Sequence, residues 1–405
     1  MALGVSSIAC TKLNPEFDDR VVAEDSETRS EGDGDGDGDL TGDGDGDGDP
    51  TGDGDPTGDG DGDPTGDGDG DGDDPIACAA PLDYVDCDLT ANLSLTENPF
   101  RALGLGCEVP EDQGITISNA SMSAVDTATW RVASAFGHAA GPNHGGKLWA
   151  ARDSQPIPSG HPDLPAIQPN TSAAILLLTT GWFPPPNLDG SVTLPFDSQG
   201  GFGDNQNPDE GDFPSPISPK YGSNFGNGGS PFVDCDLVND CSDSLHEQWY
   251  ELGWNMLYDK LWLQFDMHAP AGVHGYMFDF AFFSSEYPAF IDTMYNDMFV
   301  AWSVSENYTG NLTFIDQTPM NTTSLAAADG FEYLEGDAAL DGTGFELNAA
   351  TGWLLARGPA MPEQTVQVTL FVSDLGDSLF GSVVLLDNFR WDCLGCSGGN
   401  CGFKP

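Results

Sequence analysis

Residues 31–75 are built almost wholly from two residue types: 18 Asp and 17 Gly, with one Glu and no Lys or Arg. Three Asp-Pro-Thr-Gly units, starting at Asp49, Asp55 and Asp63, punctuate the run. Such a segment has almost no apolar surface to offset the entropy of ordering its chain, so it predicts a disordered linker. It divides the chain into a short head and a long body. Gly makes the tract pliable, and repulsion between its carboxylates stretches it beyond the ~35–40 Å of a neutral Gly-rich chain of that length. Its Asp-x-Asp-x-Asp-Gly pattern matches the start of a calcium loop. The bidentate Glu at the twelfth position and the flanking helices are missing, so a solvated spacer is the expectation.

Charge narrows the partners. The formal net charge is −54, with only 12 Lys and Arg in 405 residues. Nothing on such a chain neutralises a polyanion, which excludes nucleic acid as a main partner. Adsorption to anionic lipid is disfavoured for the same reason.

The head opens with an apolar stretch ending in Ser7-Ile8-Ala9-Cys10. Small residues directly before a cysteine resemble the lipobox of bacterial lipoproteins, in which the cysteine becomes the lipidated first residue. A basic leading region is lacking, and Ser7 stands where Leu is usual. The cysteine count points the same way. Nine cysteines are present, and lipidating Cys10 leaves Cys78, Cys87, Cys107, Cys235, Cys241, Cys393, Cys396 and Cys401, enough for four disulfides. Disulfides place the body outside the cytoplasm. Cys235 and Cys241 are close enough to close a small loop, as are two of the last three. Otherwise the pairing is open. Cys393-x-x-Cys396 has no second Cys pair or His pair to complete a zinc site.

The body reads as all-β. Tyr276, Phe278, Phe280 and Phe282 alternate with period two, as do Leu261, Leu263, Phe265 and Met267, and Val366, Val368, Leu370 and Val372. Val383–Leu386 reads as a strand buried on both faces. One helix is predicted, where Ser244 and Glu247 form a capping box before Leu245, Trp249, Leu252 and Met256. The Pro/Gly/Asn-rich stretch from Trp182 to Pro231 reads as loops ornamenting a core. The expected fold is a jelly-roll-like β-sandwich with one or two short helices and long loops, preceded by the disordered linker. Along the chain this gives a truncated signal-like segment (1–10), a polar segment (11–30), the linker (31–75), a Cys-containing entry (76–94), the sandwich (95–392) and a Cys-rich tail (393–405).

Phe278-Asp-Phe-Ala-Phe-Phe-Ser-Ser-Glu-Tyr-Pro-Ala-Phe290, followed by Tyr295-Asn-Asp-Met-Phe299, resembles the hallmark of the choice-of-anchor L domain family. Gly114–Asn119, Ile175–Gly181 and Tyr258–Asp266 resemble that family's other strands, in order. The likeness spans roughly residues 95–392. It implies an extracellular or surface protein whose attachment signal varies between members, and it supplies a location rather than a reaction. Residues 393–405 do not resemble a sorting tail, so the N-terminal lipid would be the anchor, in an outer membrane if the cell is Gram-negative. The family usually carries Glu-Glu where this chain has Ser285-Glu286.

Candidate chemistry is sparse. Glu286, Asn296 and Asp297 lie near the end of an aromatic strand, and Asp374, Asp377, Asp387 and Asn388 flank the last two strands. Hard oxygen ligands on neighbouring loops suit a structural Ca2+, although no cofactor is required by the sequence. The same side chains also suit turn capping. Trp182 and Phe183 open a Pro-rich loop and are the best candidates for a glycan- or protein-binding surface. Trp249, Trp254 and Trp302 suit the core. His246-Glu-Gln-Trp-Tyr250 lacks the second His of a zinc protease, and His138 and His144 flank a loop. No nucleophile elbow, phosphate loop or dinucleotide fingerprint is present. The leading expectation is a noncatalytic surface lipoprotein that serves adhesion or ligand binding. A polysaccharide-acting hydrolase and a purely structural envelope component are the alternatives.

Overall fold

Alternating large apolar residues set the strands of the computed structural model. It describes Cys78, Cys87 and residues 98–108, 114–138, 149–151, 174–200, 205, 207–209, 211–221, 235–251, 256–315, 318–328, 333–396 and 401–403. All of these fall within one unit, Gly70–Pro405. Cys10, the Gly-Asp tract, His144 and Trp254 lie outside the described residues.

The described strands are, in chain order, β1 (Ile117–Ser123), β2 (Trp130–Ala133), β3 (Ala135–Phe136), β4 (Ile175–Thr179), β5 (Ser191–Val192) and β6 (Leu257–His268). There follow β7 (Gly275–Ser284), β8 (Met298–Val304), β9 (Thr309–Asn311), β10 (Phe314–Ile315), β11 (Thr318–Pro319) and β12 (Leu334–Glu335). The last are β13 (Ala349–Ala350), β14 (Leu354–Pro359), β15 (Thr365–Leu375), β16 (Ser382–Asp392) and β17 (Gly402–Phe403). Three short helices, α1 (Asn98–Arg101), α2 (Ser244–His246) and α3 (Thr322–Ala327), interrupt them. The fold is all-β, as the sequence implies.

Two antiparallel sheets carry the architecture. One has five strands in the order β1-β6-β15-β8-β9. The other has eight: β12-β13-β7-β16-β4-β2, with β14 also paired to β7, and β17 to β14. The three alternating sets read from sequence meet in one core. Tyr276, Phe278, Phe280 and Phe282 of β7 face Leu261, Leu263 and Phe265 of β6 and Val366, Val368, Leu370 and Val372 of β15. Each buried Phe contributes about 1.5–3 kcal/mol of transfer free energy. β16 is buried on both faces, as expected: Val384 and Leu386 enter this core, and Val383 and Leu385 enter a second.

That second core corrects the sequence reading of the long loops. Phe183, Val192 and Leu194 pack with Phe136, Phe283 and Phe345 against the outer face of the eight-stranded sheet. Phe213 and Ile217, together with Leu245 and Trp249, cover the outer face of the other sheet, where Trp302 of β8 lies. Strands apolar on both faces need cover on both sides, and the Trp182–Pro231 region supplies part of it. The C-terminal tail is likewise integrated, since β17 pairs with β14.

The predicted helix exists but is capped differently. Ser244 is its first helical residue, and the chain continues as a π-helical turn, Glu247–Glu251. The cap comes from upstream: Asp240 Oδ2 accepts the Leu245 N–H at 3.1 Å, and Ser242 Oγ accepts that of Ser244 at 3.3 Å. A buried carboxylate is a stronger acceptor than a serine hydroxyl. Met256 is exposed rather than part of the helix face.

Candidate functional site

All eight cysteines of the body pair: Cys78–Cys393, Cys87–Cys107, Cys235–Cys241 and Cys396–Cys401. The first joins positions 315 residues apart in sequence.

Three of the five carboxylates among the predicted metal ligands converge. Glu286 follows β7, Asp297 precedes β8 and Asp374 sits near the end of β15. One carboxylate oxygen from each lies within 4.8 Å of the others. The connections Ser285–Asp297 and Gly376–Gly381 both cross from one sheet to the other at this end of the sandwich. The cluster therefore joins the two sheets. All three side chains are buried, at 0–1 % exposure.

Their hydrogen bonding is thin. Glu286 Oε2 accepts the Asp297 N–H at 2.7 Å, and Asp297 Oδ1 accepts that of Leu375 at 3.4 Å. Asp297 Oδ2 and Asp374 Oδ1 receive no hydrogen bond. Ser382, the first residue of β16, is wholly buried and stabilises the Asp297 carboxylate, yet its hydroxyl makes no hydrogen bond of good geometry. Among the described residues, none of the three carboxylates forms an ion pair. Burial, and then the neighbouring Asp297 charge, hold the Glu286 and Asp374 carboxyls well above the ordinary range. Burial raises Asp297 to about 7. Two charges no more than 4.8 Å apart repel by at least about 3 kcal/mol at an effective dielectric constant near 20. The cluster must therefore hold protons or a cation.

Asp377 is half-buried in the turn after β15. Its Oδ1 accepts the Leu379 N–H at 2.9 Å, and its charge acts on all three carboxyls. Asp387 does not belong to the cluster. It lies within β16 rather than beside it, five residues from Ser382 and so ~17 Å along the strand. There it pairs in register with Asp279 at a bulge before Arg390. Asn388 Nδ2 donates to Asp279 Oδ2 at 2.8 Å, and Arg390 lies 3.6 Å from Asp279. That group carries its own cation.

A second buried carboxylate was not singled out from sequence. Asp240 Oδ1 accepts from the N–H groups of Ser242 and Asn311, each at 3.1 Å, and from Ser242 Oγ at 2.6 Å. Its Oδ2 accepts from Leu245 N–H and, at 3.4 Å, from Ser244 Oγ. Burial nevertheless raises its pKa to about 6. The run Asp240-Cys-Ser-Asp-Ser244 is a local turn-capping signal that sequence reading could have found.

The proposed aromatic surface turns inward. Phe183 is buried edge-on against Phe136, with centroids 6.0 Å apart, and Trp182 is half-buried. Arg131 clamps this loop: its Nε donates to Pro184 O at 2.9 Å and its NH2 to Phe183 O at 2.8 Å. Pro185 and Pro186 stay exposed and line a groove of about 360 Å³ with Trp130, Arg131 and Val132. Trp249 and Trp302 are core residues. His138 is exposed, and His246 stacks on Tyr221.

No helix among the described residues is long and apolar enough to cross a membrane. Comparisons with models of known protein families, with curated proteins and with solved structures found no match to this chain.

Proposed function

We propose that this chain is a noncatalytic bacterial surface lipoprotein. A lipid on Cys10 and the Gly-Asp tether would hold a disulfide-braced β-sandwich away from the envelope, for adhesion or ligand binding. One observation carries the reading: the eight cysteines after Cys10 pair completely. Cys10 is thereby the odd cysteine, in the sequence context that resembles a lipobox. Four disulfides favour an oxidising compartment. The resemblance to the choice-of-anchor L family supports the same location.

The carboxylate cluster favours a structural over a catalytic role. A glycosidase needs two carboxyls flanking a substrate bond, and Glu286, Asp297 and Asp374 are shut between the sheets.

The test is made on the native cell. Membrane fractions should contain the chain with an acylated Cys10 as its N-terminus by mass spectrometry, and protease added to intact cells should remove the body. Recovery of the full chain in the cytoplasm with reduced cysteines would refute the proposal. Deleting residues 31–75 should leave the body folded but less accessible to protease on intact cells.

A further inference from the structure

The buried cluster poses a problem that the surface reading does not solve. Asp240, equally buried, is surrounded by donors. Asp279 has Asn388 and Arg390. The cluster of Glu286, Asp297 and Asp374 has no cation and few donors, namely the Asp297 and Leu375 N–H groups and whatever Asp374 and Ser382 give Asp297, which leave Asp297 Oδ2 and Asp374 Oδ1 without a well-formed hydrogen bond. It is not a run of surface acids, because its members lie 11 and 77 residues apart and reach one place only through the pairing of β7 with β16 and of β8 with β15. The Ser382 hydroxyl, buried and unpartnered, adds a neutral oxygen on the Asp297 side. Buried polar atoms left unpartnered in a native fold call for a ligand that completes them.

We propose that Glu286, Asp297 and Asp374, with Ser382, bind one Ca2+ that rivets the two sheets together. The ligand set decides the class of ion. Every available atom is a hard oxygen, which excludes the soft metals that prefer sulfur or imidazole. Several carboxylates in a dry site suit Ca2+, which takes 6–8 oxygens in irregular geometry. Mg2+ demands a regular octahedron and keeps its waters. Asp377, half-buried beside the cluster, supplies further negative charge on the exposed side. The Ca2+ would fix the ends of β7, β8, β15 and β16 at once. This inference is independent of the lipid anchor and stands if the surface reading fails.

Thermal unfolding of the purified full chain at pH 7.5 tests it, after chelation and then with Ca2+ or Mg2+ added. Ca2+ is expected to raise Tm by about 4 °C at a hundredfold excess over Kd, and further with the logarithm of its concentration. Calorimetry should show one tight site per chain. Mg2+ should shift Tm less. Glu286→Gln and Asp374→Asn should abolish the tight site and the Tm response. Each replaces a buried carboxyl, costly without the cation whether ionised or held protonated, by a neutral amide of nearly the same shape, so each variant should melt above the chelated wild type and remain assayable. The acidic 31–75 tract is unchanged in these variants, so weak binding to it is common to both. No Tm response in the wild type, a response retained in both variants, or equal responses to Mg2+ and Ca2+ would overturn the proposal.

Discussion

Asp240 makes the protein's stability depend on pH in a direction opposite to that of an ordinary salt-bridged aspartate. Burial raises its carboxyl from 3.8 to about 6, even though Ser242, Asn311 and Leu245 donate to it. A raised carboxyl favours the protonated form in the folded state. Its stabilisation is full below pH 3.8 and is lost as pH rises through about 6. The loss is about 3 kcal/mol once ionisation is complete. Asp240→Asn removes the titration and keeps the shape. The amide oxygen can still accept from Ser242 and Asn311, but the amide nitrogen would oppose the Leu245 N–H that Oδ2 now accepts. That mismatch should cost about 1–3 kcal/mol at every pH. Urea unfolding of both proteins between pH 4 and 7.5 measures the difference. Titrations elsewhere in the fold are shared and cancel. The variant should be the less stable at pH 4, and the difference should move by about 2 kcal/mol in its favour by pH 7.5, closing the gap or reversing its sign. A gap that stays constant across this range would refute the assignment of the raised pKa to Asp240.

Gly358 lies opposite Tyr276 in the β14–β7 pairing, and any Cβ there would fall on the Tyr276 ring. Gly358→Ala should therefore destabilise the fold by about 1–3 kcal/mol, read as a lower urea midpoint with an unchanged slope. The unlipidated full chain should show one free thiol when denatured without reductant, and peptide mapping should place it at Cys10. Paired Ser substitutions should rank by loop length: the Cys87–Cys107 bridge, spanning 20 residues, should cost more than Cys235–Cys241, spanning 6. Chain entropy gives about 3 and about 2 kcal/mol respectively.

The strands of the core were legible because alternation is local. A side chain on an extended backbone points opposite to its neighbour, so Tyr276, Phe278, Phe280 and Phe282 had to share a face whatever lay across from them. The double burial of Val383–Leu386 was legible for the same reason, since a run apolar at every position has no face left for water. The loop after Trp182 was misread because its apolar residues follow no period. Phe183, Val192, Leu194, Phe213 and Ile217 each find cover singly, on two different sheet faces.

The sequence by itself determined the acidic Gly-Asp tract, the strand-rich body and the odd count of nine cysteines. Each follows from composition or from short-range spacing. Only the tertiary structure decided which cysteines meet, and which acids meet. Cys78 finds Cys393 rather than a nearer partner because the fold packs both against the same core. Asp374 joins Glu286 and Asp297 while Asp387 does not, because strand register places Asp374 at the end of the sandwich and Asp387 midway along β16. Spacing in sequence does not fix distances between residues on different strands; register and the packing of one sheet on another do.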